Sequence, residues 1–287
     1  MTNRVNVPDI QHRKVAQGGV PLVMVTAYDA PGSLIADEAG VDLILVGDTL
    51  AMVVLGHEDT LQVTVDEMAH HTAAVARVRP KALVVADLPW LSYHVGVEDT
   101  VRNGARLIRA GARAVKLEGG AKRVPMIRAL VDAEIPVMGH IGLTPQSVHA
   151  LGGFRVQGRD AASARRLVEE AQALVEAGIF ALVLEAVPDA TARMITEAVS
   201  VPTIGIGAGP HCDGQVLVFH DVLGLQDRLR PKFVRTYATL KLTAVDALTR
   251  YAADVRSGSF PGPEESYHLS EEIAATFGRD AAVDDRR

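Results

Sequence analysis

Eight short aliphatic runs recur along the chain, and helix-like stretches fall between them. They occupy residues 21–26, 43–47, 82–87, 114–118, 136–140, 181–185, 202–206 and 216–220. Each is nearly continuous in Val, Ile, Leu and Ala, the pattern of parallel strands covered on both faces. Helices are predicted over 65–79, 99–110, 123–133, 160–177, 189–199 and 232–256. Thr64 and Glu67 have the spacing of a capping box, and Gly111 and Gly178 stand where helices end. The alternation predicts a single (β/α)₈ TIM barrel over 1–287, with an N-terminal helical segment (about 1–20) and a C-terminal extension (about 257–287). Within the N-terminal segment, residues 7–17 would form a helix closing the barrel's bottom. The charged stretch 279–287 is expected to fray. An open doubly wound sheet is the alternative, but no G-x-G-x-x-G follows the first run.

Composition narrows the function classes. Hydrophobic residues make up 48% and aromatics only 4%, so a large core would be filled by aliphatic side chains. Net charge is −6 without a basic stripe, which argues against nucleic acid as a partner. No apolar run reaches the ~18 residues of a membrane span, and the first residues lack the apolar stretch of a signal peptide. A cytoplasmic protein is the expectation. The one cysteine, Cys212, excludes an intrachain disulfide framework and a Cys-rich zinc site, and reads as a spare thiol.

The chemistry lies where polar residues end the apolar runs. Asp48 follows run two, Asp87 ends run three, Lys116 and Glu118 sit on run four, His140 ends run five and Glu185 run six. In a (β/α)₈ barrel these ends form one mouth, where active sites lie. Asp48, Asp87 and Glu118 come from successive strands, ~4.8 Å apart. Three anions so close call for a cation, and oxygen donors without Cys suit Mg²⁺. A single Asp there would read as a helix cap; three on consecutive strands favour the metal. Lys116 and Glu118 share one strand face, so Lys116 either meets an anionic substrate or pairs locally with Glu118. Glu185 closes a very apolar run and suits a desolvated general base, or else a rim ion pair. His140 is a donor, a base or a structural imidazole. Two long connections, 48–63 and 141–159, have lengths typical of functional loops. The Gly205–Pro210 stretch permits either close approach of a ligand or a tight turn. His70 and His71 read as a solvated helix face.

Taken together these residues resemble the ketopantoate hydroxymethyltransferase family. The resemblance runs from about residue 26 to 267. It rests on Thr26-Ala27-Tyr28-Asp29, Val46-Gly47-Asp48-Thr49-Leu50, Ala86-Asp87-Leu88-Pro89 and Val115-Lys116-Leu117-Glu118-Gly119-Gly120. The most specific stretch is Gly139-His140-Ile141-Gly142-Leu143-Thr144-Pro145-Gln146, followed by Gln157-Gly158-Arg159. Leu184-Glu185 and Gly205–Pro210 with Asp213-Gly214-Gln215 complete it. The resemblance implies a (β/α)₈ barrel that uses Mg²⁺ and 5,10-methylenetetrahydrofolate. It implies conversion of 3-methyl-2-oxobutanoate to ketopantoate on the route to pantothenate and coenzyme A. It assigns Mg²⁺ to Asp48, Asp87 and Glu118, the keto acid to Asp48, Thr49, Asp87 and Lys116, and proton acceptance to Glu185; His140 is a further candidate for substrate contact. It also implies a homo-oligomer, commonly a decamer. The family's Gly-Asp-Ser-Leu-Gly reads here Gly47-Asp48-Thr49-Leu50-Ala51: Thr49 keeps the hydroxyl, and Ala51 replaces a flexible glycine. A Mg²⁺-dependent aldolase or lyase acting on another 2-oxo acid is the competing enzyme, and a non-catalytic barrel the competing non-enzyme.

Overall fold

The computed structural model describes residues 4–227 and 231–276. The segment 279–287 lies outside them. Contacts divide the chain into two units, Met1–Ala238 and Thr239–Arg287. The first holds eight parallel strands closed in sequence order: β1 (Leu22–Thr26), β2 (Leu43–Val46), β3 (Leu83–Asp87), β4 (Ala114–Glu118), β5 (Val137–Gly142), β6 (Ala181–Glu185), β7 (Thr203–Ile206) and β8 (Gly214–Leu217). This is the TIM-barrel architecture. No helix of the described residues is long and apolar enough to cross a membrane.

The period-two geometry of a strand explains how the interior is filled. Leu43 and Leu45, Leu83 and Val85, Ala114, Met138, and Ala181 and Val183 form one buried cluster inside the barrel. The other parity packs outward against the helices, with Ile44, Val84, Val115, Val137 and Leu182 in a second cluster. Ile10, fully buried on helix Val7–Gln11, joins the interior cluster and closes the end opposite the strands' C-termini. Helix starts follow local chemistry. Thr64 and Glu67 form the expected capping box on Val65–Arg77, and Asp160 caps Ala161–Glu176 through the amides of Ala162 and Ser163.

Several boundaries differ from expectation, each for a physical reason. The predicted 7–17 helix is Val7–Gln11 and a separate turn, Val15–Gln17. Run eight was expected at 216–220, but β8 ends at Leu217 and His220 sits on the short helix Phe219–Leu223. The register explains this: β8 enters at Gly214, where a Cβ would lie 2.6 Å from Leu22 O. β5 runs two residues beyond His140, because Gly142 adopts φ +96° beside the backbone of Glu185. Residues 232–239 are not helical: Tyr237 N–H donates to Val222 O at 2.8 Å, and the helix begins at Leu240. No helix separates β7 from β8; residues 207–213 return the chain directly, turning at Gly207 (φ +65°) and Gly209 (φ +77°). The second unit carries helix Leu240–Ser257, ended by Gly258 in the left-handed region, with Tyr251 edge-on to Phe260 at 5.5 Å.

One buried ion pair anchors the N-terminal segment. Lys14 Nζ lies 3.0 Å from Asp213 Oδ2, and Asp213 also accepts from the amides of Val15 and Thr203. Both side chains are almost fully buried. Replacing Asp213 with Ala strands the ammonium in the interior, and a loss of about 3–5 kcal/mol is expected. Urea denaturation checks this; a loss under ~1 kcal/mol would mean that water reaches Lys14.

Candidate active site

The barrel's interior parity continues into the mouth as ionisable groups. Asp87 follows Val85, Lys116 follows Ala114, Glu118 follows Lys116, His140 follows Met138 and Glu185 follows Val183, each two residues on. In register, Asp87 stands beside Lys116, Glu118 beside His140, and Glu185 beside Gly142. Asp48 comes just beyond β2, and its amide donates to Asp87 Oδ2 at 3.1 Å. Asp48, Asp87, Lys116, Glu118 and His140 are all at most 4% exposed. Glu185 is less enclosed, with 16% of its side chain exposed, so the desolvation expected there is incomplete. Thr49 is half-buried at the head of the short helix Leu50–Val53. Ala51 lies within that helix, its amide donating to Asp48 O at 3.0 Å, so a residue with a Cβ fits where the family has glycine.

Burial and charge decide the protonation pattern. Burial pushes the Asp48 carboxyl well above the usual carboxylate range, and Asp87 and Glu118 push it further. Burial also raises Asp87, against the pull of Lys116. For Glu118 burial is outweighed by His140 and Lys116, which hold it below its ordinary value. Burial and Lys116 work against a charged His140, but Glu118 and Glu185 carry it up to about 9. Lys116 is likewise disfavoured by burial, yet Asp87, Glu118 and Asp48 hold it firmly protonated. Its ammonium pairs with Asp87 Oδ1 at 2.9 Å and lies 3.3 Å from His140 Nδ1. The partnership runs across strands to Asp87, rather than along β4 to Glu118. His140 Nδ1 is 3.4 Å from Glu118 Oε1, and Nε2 is 3.3 Å from Glu185 Oε2. Neither Nε2 nor Asp87 Oδ1 completes a hydrogen bond in full geometry among the described residues.

These features fit a divalent cation. Asp48 resists ionisation beside two other buried carboxylates, and Asp87, although paired with Lys116, lies directly against it. No preassembled shell of three His, Cys, Asp or Glu groups exists among the described residues. Oxygen donors from one or two carboxylates are the kind of set Mg²⁺ takes, with waters completing its shell. A cation would share oxygens that already have protein partners, Lys116 and the Asp48 amide on Asp87, and His140 and the Gln146 amide on Glu118.

Two participants had no role assigned from the sequence. Gln146 is 5% exposed and donates through Nε2 to Asp48 Oδ2 at 2.8 Å. Tyr93, 1% exposed, donates to Gln146 Oε1 at 2.6 Å and accepts from the Glu118 amide at 3.2 Å. The long 141–159 connection was the signal for Gln146; nothing in the sequence marked Tyr93. The other residues singled out in the sequence lie as follows. Gly207 and Gly209 pack against Phe233 and Asp189, the tight-turn reading. His70 is exposed, but His71 Nδ1 bonds to Tyr28 O at 2.7 Å and so is not a solvated face. Burial pushes the Cys212 thiol up to about 11, which leaves it a poor nucleophile at neutral pH.

The sequence profile of ketopantoate hydroxymethyltransferases matches residues 4–263. The chain belongs to the ketopantoate hydroxymethyltransferase family. A 3-methyl-2-oxobutanoate hydroxymethyltransferase of Moorella thermoacetica is 61% identical over 266 residues, covering 92% of this chain and 98% of the relative. A second, from Bradyrhizobium diazoefficiens, is 57% identical and covers 94% and 91%. Among solved structures, phosphonopyruvate hydrolase in complex with oxalate and Mg²⁺ superposes with TM-score 0.58 at 15% identity, covering 98% of this chain and 99% of that one. A 2,3-dimethylmalate lyase gives 0.58 at 17% identity, with the same coverage. These distant neighbours share the barrel; the close relatives make this ketopantoate hydroxymethyltransferase family member an enzyme of the transferase class.

Proposed function

We propose that this enzyme converts 3-methyl-2-oxobutanoate, 5,10-methylenetetrahydrofolate and water to ketopantoate and tetrahydrofolate, with Mg²⁺ at Asp48 and Asp87. The observation that carries the site assignment is the convergence of Asp48, Asp87, Lys116, Glu118, His140 and Glu185 on one face of the barrel mouth, where buried carboxylates outnumber cations. Asp48 and Asp87 would hold the metal, with Glu118 completing the negative wall. When bound, Mg²⁺ supplies Lewis-acid stabilisation of charge on the keto acid's oxygens.

The chain's own residues do the rest. Lys116 presents a fixed positive charge toward the substrate carboxylate, and Thr49 offers its hydroxyl beside Asp48. Glu185 removes the proton from C3, and His140, 3.3 Å from its Oε2, steadies that carboxylate. The C3 carbanion equivalent forms the new C–C bond to the folate's methylene carbon. Water supplies the hydroxyl oxygen, and both folate nitrogens leave with protons.

Product analysis tests this. Ketopantoate should form only with the folate present, and excess EDTA should abolish turnover, with Mg²⁺ restoring it. Aldol cleavage without folate would favour the lyase instead, and full activity in EDTA would remove the metal. The family also supports a homodecamer in the cytoplasm; sedimentation velocity tests the assembly, and a monomer or dimer would contradict it.

A further inference from the structure

Gln146 makes more contacts with the carboxylate cluster than any substrate-facing role requires. Its Nε2 uses both protons, on Asp48 Oδ2 at 2.8 Å and on Leu88 O at 3.0 Å. Its Oε1 accepts from Tyr93 O–H at 2.6 Å, and its backbone amide donates to Glu118 Oε2 at 3.1 Å. Tyr93 closes the circuit by accepting from the Glu118 amide. One residue on the turn Pro145–Ser147 thus ties together the ends of β2, β3 and β4.

The amide can take only one orientation. Flipping it would set Oε1 against the Asp48 carboxylate and the Leu88 carbonyl, and would turn Nε2 toward Tyr93 O–H. With both amide protons committed, Asp48 Oδ2 is held in place and the carboxylate's other oxygen keeps its heading. Outer partners that aim a ligating carboxylate commonly change metal affinity ~10–100-fold when removed.

We propose that Gln146, locked by Tyr93, is a positioning residue that aims the Asp48 carboxylate for the divalent cation. This rests on the metal assignment above.

The test is Mn²⁺ titration of EDTA-treated, dialysed full-length protein, read by the loss of the free-ion electron paramagnetic resonance signal. Gln146→Met keeps the side-chain length and removes both side-chain donors and the acceptor. Its Mn²⁺ affinity is expected to fall about 10-fold or more, with a smaller fall for Tyr93→Phe. In the double variant the two effects should be non-additive, because each breaks the same chain. Gln146→Met with wild-type Mn²⁺ affinity would overturn the proposal. If Gln146→Met fails to fold by circular dichroism, Tyr93→Phe decides: weakened Mn²⁺ binding supports the lock and unchanged binding overturns it. Wild-type protein that binds no Mn²⁺ would instead refute the metal assignment itself, which keeps the two failures distinguishable.

Discussion

Asp48→Asn is expected to lower kcat/KM by about 10³-fold while making the metal-free protein more stable. The activity loss follows from removing one of the two carboxylates assigned to the cation, whose stabilisation of developing charge is worth several kcal/mol. Asn keeps an oxygen to accept from Gln146 Nε2, so the loss would not stem from a broken frame. The stability gain follows from the electrostatics. Asp48 is buried and faces Asp87 and Glu118, so its carboxyl is held well above the usual range. In the unfolded chain the same group ionises near pH 4. As pH rises past 4, the unfolded state gives up its proton and the folded state resists, so wild-type protein loses stability. Asn has no proton to lose, and its advantage should open above pH 4. A gain of about 1 kcal/mol, or a rise in Tm of ~2–4 °C, is expected at pH 7 in EDTA. Thermal melts of both proteins, with and without Mg²⁺, provide the check. With Mg²⁺ the order should reverse, because only wild type gains from binding. A variant less stable than wild type in EDTA would mean that the carboxylates are not in conflict.

That conflict is also why so much of the site was legible in the sequence. An aliphatic run that ends in Asp, Lys, Glu or His breaks the pattern that makes it a strand, and in a barrel all such breaks meet at one mouth. Asp87, Lys116, Glu118, His140 and Glu185 were visible for this reason, and Asp48 because it directly follows the second run. The partners of these groups were less legible, because pairing depends on register between strands. Lys116 turns to Asp87, its neighbour in the β3–β4 register, and not to Glu118 on its own strand. Gln146 and Tyr93 were harder still: their contacts join residues 25 to 98 positions apart, and neither interrupts an apolar run. Boundaries failed where backbone geometry overrode composition. β8 begins at a glycine pressed against Leu22, and within 232–239 Tyr237 N–H is drawn to Val222 O instead of into a helix. The β7–β8 connection lacks a helix because two left-handed glycines turn the chain back within it. Of these, only the glycines of 205–210 left a mark in the sequence, as a stretch that permits a tight turn.

Glu185→Gln is expected to slow hydrogen–deuterium exchange at C3 of 3-methyl-2-oxobutanoate by about 10²–10⁴-fold. Exchange needs only the keto acid, Mg²⁺ and D₂O, so it isolates proton removal from the folate half of the reaction. Glu185 ends β6 on the interior parity, with Oε2 3.3 Å from His140 Nε2. The next residue, Ala186, holds φ +46°, a left-handed conformation that costs a residue with a Cβ roughly 1 kcal/mol. Its amide donates to Ile206 O and its carbonyl accepts from Gln157 N–H, so the turn is fixed from both sides and Glu185 is held at the mouth. Gln matches Glu in size, hence KM for the keto acid should stay within a few-fold and the fold should be unchanged. His140→Gln gives the contrast. His140 is charged beside two carboxylates, so its loss removes a partner of Glu185 but not the base, and exchange should slow less than in Glu185→Gln. Proton NMR in D₂O follows the C3 signal directly. If His140→Gln is the slower of the two, the imidazole takes the proton and Glu185 only orients it; if neither variant slows exchange, the base lies outside this pair.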